Sequence, residues 1–177
     1  MRLEYSGEVA TLNTKPLTAA GLAGILRPLL SDVNMVSAAH SAKERGMRLE
    51  EVTRGQDGAF ESYIRLTVKT AAYERSVAGT VFSDGRPRII QVRNIDMEFE
   101  LAPHMLFVRN VDKPGFIGRF SSTLGEAGIN IATFHVGRDA PGGNAIALIE
   151  IDGELPPQVL AAVRALPQVQ QARPLKF

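Results

Sequence analysis

Asn110-Val-Asp-Lys-Pro-Gly-Phe-Ile-Gly-Arg-Phe-Ser-Ser-Thr-Leu-Gly-Glu-Ala-Gly-Ile-Asn-Ile131 runs in order through a polar strand end, a tight turn, an amphipathic helix and the opening of a second strand. A turn that passes at once into a helix leaves backbone N–H groups aimed at one place, at the positive end of the helix dipole. A carboxylate suits that place. Asp112 and Asn130 on its flanks offer partners for an ammonium group and a side-chain hydroxyl. The residue types are those of an amino-acid sensor, and no bond-making machinery accompanies them.

Working outward, the helix over 115–127 places Ile117, Phe120, Leu124 and Ala127 on one side, and Gly128 ends it as a C′ glycine. Met105–Asn110 precedes it as a strand, and Ile129–Val136 follows as another. Arg138-Asp-Ala-Pro-Gly-Gly-Asn144 reads as a loop before a strand over Ala145–Ile151. Pro156 and Pro157 open a second helix with Val159, Leu160, Val163 and Leu166 inward. Gln168–Leu175 closes as a strand. The order is βαββαβ, the ferredoxin-like arrangement.

The first half is a different α+β pattern. Residues 2–12 alternate like a strand. Thr18 is the expected cap of a helix carrying Leu22, Ile25, Leu26, Leu29 and Leu30, with Pro28 shortening its last turn. A short strand is expected at Val33–Val36, then a polar helix over Ala38–Arg45 stopped by Gly46. Strands follow at Arg48–Thr53, Ser62–Thr70, Arg75–Phe82, Arg88–Val92 and Asp96–Leu101. Gln56-Asp-Gly58 and Ser83-Asp-Gly85 are turn signals between them. Ala102-Pro-His104 marks the expected seam.

The chain has 177 residues, 45% hydrophobic and 22% charged, which permits one domain or two small ones. Lys plus Arg number 20 against 19 Asp plus Glu, so bulk charge points to no polyanion, and nucleic acid is not an expected partner. Phe107 and Phe134 lack the basic, aromatic signature of an RNA-reading sheet. The absence of cysteine removes disulfides and thiolate chemistry and fits the cytoplasm. Three isolated histidines, His40, His104 and His135, make no metal set. No run approaches the roughly 18 apolar residues of a membrane helix. Because the sequence enters a strand directly at Met1, more chain upstream is expected in the natural protein.

Asp112-Lys-Pro-Gly115, the helix after it and Gly128-Ile-Asn-Ile131 resemble the ACT domain, a small-molecule-binding regulatory module. Asn13-Thr-Lys-Pro-Leu-Thr-Ala-Ala20, Asp32-Val-Asn-Met-Val36, Ala42-Lys-Glu-Arg-Gly46, Ser76-Val-Ala-Gly-Thr80 and Pro87-Arg-Ile-Ile90 are similar to the intervening, or allosteric substrate-binding, domain of the longer bacterial D-3-phosphoglycerate dehydrogenases. The resemblance implies an α/β intervening domain over 1–102 and a ferredoxin-like ACT domain over 103–177. It implies ACT domains paired side by side, binding L-serine at their interface and slowing a dehydrogenase in L-serine biosynthesis. NAD and the catalytic domain belong to the parent enzyme; this chain shows no Gly-x-Gly-x-x-Gly after a strand and no catalytic residues or cofactor of its own. An alternative parent is L-serine dehydratase, whose regulatory segment carries similar domains.

Carried over residue by residue, the effector ligands are Asn110, Asp112, Pro114, Gly115, Phe116, Ile117 and Asn130. Asn110 stands where well-known relatives have His or Tyr. Alternation puts Asn110 and Asp112 on one face with Leu106 and Val108. Asp112 has a second reading as the cap of the following helix. Pro114 presets φ, Gly115 admits close approach, and the Phe116 and Ile117 amides face the carboxylate. Asn130 is expected to reach an effector bound across the interface between two copies. Lys113 reads as a solvated turn residue. Separately, Arg86 and Arg88, with Arg93, Lys43 and Arg45, suggest an anion site; the competing reading pairs this strand face with Glu98 and Glu100.

Overall fold

Alternation at the N-terminus is realised as β1 (Arg2–Gly7), shorter than expected because a 3-10 turn over Glu8–Thr11 takes over. The computed structural model describes residues 1–56 and 60–177, so the turn read at Gln56-Asp-Gly58 lies outside the described residues at Asp57 and Gly58. Two compact units divide between Pro87 and Arg88.

In the first unit, β1 is flanked by β2 (Glu50–Arg54), parallel, and β3 (Ser62–Lys69), antiparallel; β4 (Glu74–Val81) pairs with β3. Helices α1 (Lys15–Leu26) and α2 (Ala38–Glu44) share a core of Leu22, Ala23, Leu26, Val33, Ala38 and Ala42. Thr18 is not the cap of α1. Pro16 is well placed in a first turn, so the helix starts at Lys15 and Thr18 turns inward. There its hydroxyl meets the Tyr5 hydroxyl at 2.7 Å and the Glu51 carboxylate. The helix stops at Leu26, ahead of Pro28, and Leu29 is exposed.

The strand expected at Val33–Val36 is absent. Asn34 Oδ1 accepts the amides of Val36 (2.9 Å) and Ser37 (3.1 Å), and this local bonding turns the chain into α2 instead. Gly46, with φ 67°, follows α2 as expected. The Ser83-Asp-Gly85 turn forms, with the Gly85 amide donating to the Phe82 carbonyl at 2.8 Å.

The second unit contains β5 (Pro87–Val92) from Arg88 on, β6 (Ile95–Phe99), β7 (His104–Val111), α3 (Phe116–Glu126), β8 (Ile131–Arg138), β9 (Asn144–Ile151), α4 (Pro157–Ala165) and β10 (Val169–Lys176). From β7 onward the order is the expected βαββαβ, and the sheet runs β10-β7-β9-β8, all neighbours antiparallel. The chain is therefore α+β, as its pattern predicts.

Alternation along β7 sends Leu106 and Val108 to one face, where they join Phe120, Leu124, Val159 and Val163 beneath the two helices. Each such side chain, fully buried, contributes about 1.5–3 kcal/mol. The other face of the sheet is covered by β6. Its Ile95, Met97 and Phe99 pack with Met105, Ile146 and Leu148. At Gly137 the strands come so close that a Cβ would lie 2.7 Å from the Asp96 carbonyl oxygen. This packing is why the compact division falls before β6, ahead of the seam read at Ala102-Pro-His104.

Candidate effector site

The end of β7, the start of α3 and the β8–β9 loop meet at one end of the second unit's sheet, where Val111 pairs with Asn144 and Arg138 with Ala145. Asn110, expected on the same face as Leu106 and Val108, is there and only 2% exposed. Its Nδ2 donates to the Val111 carbonyl at 3.0 Å. Its Oδ1 is buried and accepts no hydrogen bond among the described residues. Such an atom costs about 1–3 kcal/mol while it stays unpaired.

Asp112 does not cap α3. The N-cap is Gly115, in the left-handed region at φ 84°, and no side chain caps the helix. The β8–β9 loop curls back and supplies nearer donors. Asp112 Oδ2 accepts from Arg138 Nη1 at 2.8 Å and from the Gly142 amide at 3.1 Å. The Arg138 bond first, and the Gly142 amide after it, hold the Asp112 carboxyl below its usual range.

Pro114 and Gly115 lead into α3 as the sequence suggests. The Phe116 amide makes a long bond of 3.4 Å to the Lys113 carbonyl. The Ile117 amide has no backbone acceptor among the described residues, as a first-turn donor should not. The Phe116 ring is buried 5.7 Å from Phe120, which anchors the first turn, while Ile117 is 53% exposed.

One member of this cluster escapes sequence reasoning. Arg119 lies over the turn: its Nε donates to Gln168 Oε1 at 3.3 Å, and a Cβ on Gly115 would sit 2.9 Å from its Nη1. The available signal was its position four residues after Gly115, one helical turn on. With α3's free amides it gives this end of the sheet a positive lip beside a buried acceptor.

Asn130 is not part of the same cluster. It precedes β8 at the opposite end of the sheet, where Ile131 pairs with Ile151, and its Nδ2 donates to Asp152 Oδ2 at 2.9 Å. The eight residues of β9 from Asn144 to Ile151 separate the two ends by about 24 Å. Within one chain, then, Asn110 and Asp112 come together with residues 114–117, and Asn130 stands apart.

Of the arginines suggested as an anion site, Arg86 donates its backbone amide to Asp84 Oδ1 in the β4–β5 turn. Arg88 is 18% exposed and pairs with Glu100 at 3.2 Å and Glu98 at 3.8 Å, the charged-face arrangement named as the competing reading. Among the described residues no cluster of His, Asp or Glu could hold a metal ion, and no helix is long and apolar enough to cross a membrane.

Residues 1–93 match the family model of the D-3-phosphoglycerate dehydrogenase intervening domain. The chain belongs to that family. Residues 104–168 match the ACT domain. The D-3-phosphoglycerate dehydrogenase of Archaeoglobus fulgidus is 36% identical over 169 residues, covering 94% of this chain and 32% of the relative. That of Methanocaldococcus jannaschii is 32% identical over 171 residues, 96% of this chain and 32% of the relative. The Bacillus subtilis enzyme is 31% identical over 168 residues, 94% and 32%. The chain thus spans about a third of the length of the curated relatives it matches.

Proposed function

We propose that this intervening-plus-ACT chain is the regulatory part of a cytoplasmic, NAD-dependent D-3-phosphoglycerate dehydrogenase, and that it binds L-serine between the ACT domains of two copies. The single observation that carries the reading is Asn110 Oδ1, a buried acceptor without a donor among the described residues, placed beside the open amides of α3. The effector's carboxylate lies at the first turn of α3, near Arg119. Its ammonium and hydroxyl supply donors to Asn110 and Asp112. The intervening-domain match favours the dehydrogenase over an L-serine dehydratase as parent.

The edges of the second sheet support self-association through β8. On the β10 edge, Arg164 holds the Ala172 carbonyl with Nε (3.0 Å) and Nη2 (2.9 Å), and Pro174 removes a donor. The β8 edge carries no proline and exposes Val136. A two-fold axis perpendicular to the β8 edge sets the two β8 strands antiparallel and brings the Asn110 end of one copy beside the Asn130 end of the other. An effector held by both copies has unequal affinity for the paired and unpaired arrangements, and that inequality is what shifts the parent enzyme between states.

Isothermal titration of the chain with L-serine, with D-serine and glycine as controls, tests this. Stereospecific binding that Asp112→Ala and Asn130→Ala each abolish is the expected result. A folded, dimeric chain that binds no L-serine overturns it.

A further inference from the structure

The Asp112 carboxylate, which an amino-acid effector needs for one of its donors, is already taken in the free chain. Its Oδ2 accepts from Arg138 Nη1 at 2.8 Å and from the Gly142 amide at 3.1 Å. Its Oδ1 accepts nothing among the described residues, and the side chain is 27% exposed. A carboxylate only accepts, and of the two donors L-serine brings, the charged ammonium is its stronger match. The hydroxyl is left for the neutral Oδ1 of Asn110. Arg138 thus stands where the cation of an effector would stand.

The two resident donors are held differently. Gly142 belongs to the β8–β9 loop, which is tied to the sheet by backbone bonds. The Asp112 amide donates to the Gly143 carbonyl at 2.9 Å, and the Asp139 amide to the Asn144 carbonyl at 3.0 Å. Asn144 closes the loop further, donating its amide and Nδ2 to the Asp139 carboxylate at 2.8 and 3.1 Å. The Gly142 amide therefore stays where it is. Arg138 is the last residue of β8, with its backbone in register with Ala145. Its side chain is 55% exposed, and among the described residues Asp112 is its only side-chain partner. An ion pair this open contributes little, so the guanidinium can leave for water at small cost.

Charge decides what happens when an ammonium arrives. The Asp112 carboxyl, held below its usual range, is ionised and carries one negative charge. Two cations against that single charge repel each other. The ammonium and the guanidinium therefore compete. Where only a fraction of sites is open to a ligand, the apparent affinity falls by that fraction.

We propose, resting on the reading of the Asn110–Asp112 end as an amino-acid site, that Arg138 is an internal competitor for the ammonium position and sets the effector concentration at which the sensor responds. The effector's ammonium replaces the guanidinium on Asp112. Arg138 swings into solvent, while the Gly142 amide keeps the carboxylate oriented.

Isothermal titration of the whole 177-residue chain with L-serine compares wild type, R138Q and R138K. In parallel, 1H–15N NMR follows the Arg138 Nε–H signal of the wild type. R138Q should bind L-serine about tenfold more tightly, the change expected if the pair is closed about nine-tenths of the time. R138K keeps a cation within reach of Asp112 and should gain less. The Arg138 signal should move to the position of a solvated arginine as L-serine saturates the site. Affinity in R138Q equal to or below that of the wild type, an equal gain in R138K, or an Arg138 signal unmoved at saturation overturns the competition and leaves the site standing. Absence of L-serine binding in the wild type overturns the site, and the competition with it.

Discussion

Tyr5 and Asn110 are both polar residues buried beneath the helices of their units, 0% and 2% exposed, yet they are treated oppositely. The Tyr5 hydroxyl is answered by Thr18, which is answered in turn by Glu51. Burial pushes the Tyr5 phenol up, which keeps it a neutral donor to that chain. Asn110 donates to its neighbour's carbonyl, and its Oδ1 has no donor among the described residues. A buried polar group whose partners are all present serves the fold. Under the proposed function, the donor that Asn110 lacks among the described residues comes from the bound effector.

The largest effect that can break this contrast lies in the core beneath α3. Phe120, fully buried between Phe116 and Phe134, is the platform of the α3 turn. Phe120→Ala is expected to lower stability by about 3–5 kcal/mol in urea unfolding and to weaken L-serine binding with it. Next is Asn110→Ala. Because it deletes an unsatisfied acceptor, it is expected to cost less stability than that, while L-serine binding is abolished. Equal affinity in the variant would erase the distinction between the two residues.

Tyr5→Phe sharpens the contrast from the other side. Loss of one buried hydrogen bond should cost about 1 kcal/mol in thermal unfolding and leave L-serine binding unchanged. The smallest effect concerns Asp112. Its folded pKa is depressed, so its contribution is complete above the unfolded value near 3.9 and is lost as pH falls through the folded one. Asp112→Asn should remove that acid-range dependence from the unfolding curve. A wild-type carboxyl titrating at or above its ordinary value by NMR would contradict the Arg138 bond.

Much of the second unit is legible from the sequence because its signals are local. The Phe120–Leu124 stripe, the Gly128 stop and the two prolines of α4 each act within one turn of the chain, and all appear where periodicity puts them. Asn34 shows how a local signal can be misjudged: its side-chain bonds to the Val36 and Ser37 amides, in the turn before α2, outcompete the strand tendency of Val33 and Val36. The partners of the candidate site were less legible. Arg138 reaches Asp112 across 26 positions and Arg119 reaches Gln168 across 49, through a register that only the folded sheet sets. The cover of β6 on the sheet was also hidden, since a half-buried strand alternates in the same way whichever sheet it serves.

The central claim is that one effector site uses Asn110 of one copy and Asn130 of its partner. Mixing Asn110→Ala chains with Asn130→Ala chains measures this directly. Each variant alone should bind no L-serine, whereas the equimolar mixture should recover about a quarter of the wild-type sites, because half the dimers are mixed and each has one intact site. A mixture as silent as its components, or an Asn130→Ala chain that still binds fully, would contradict the account.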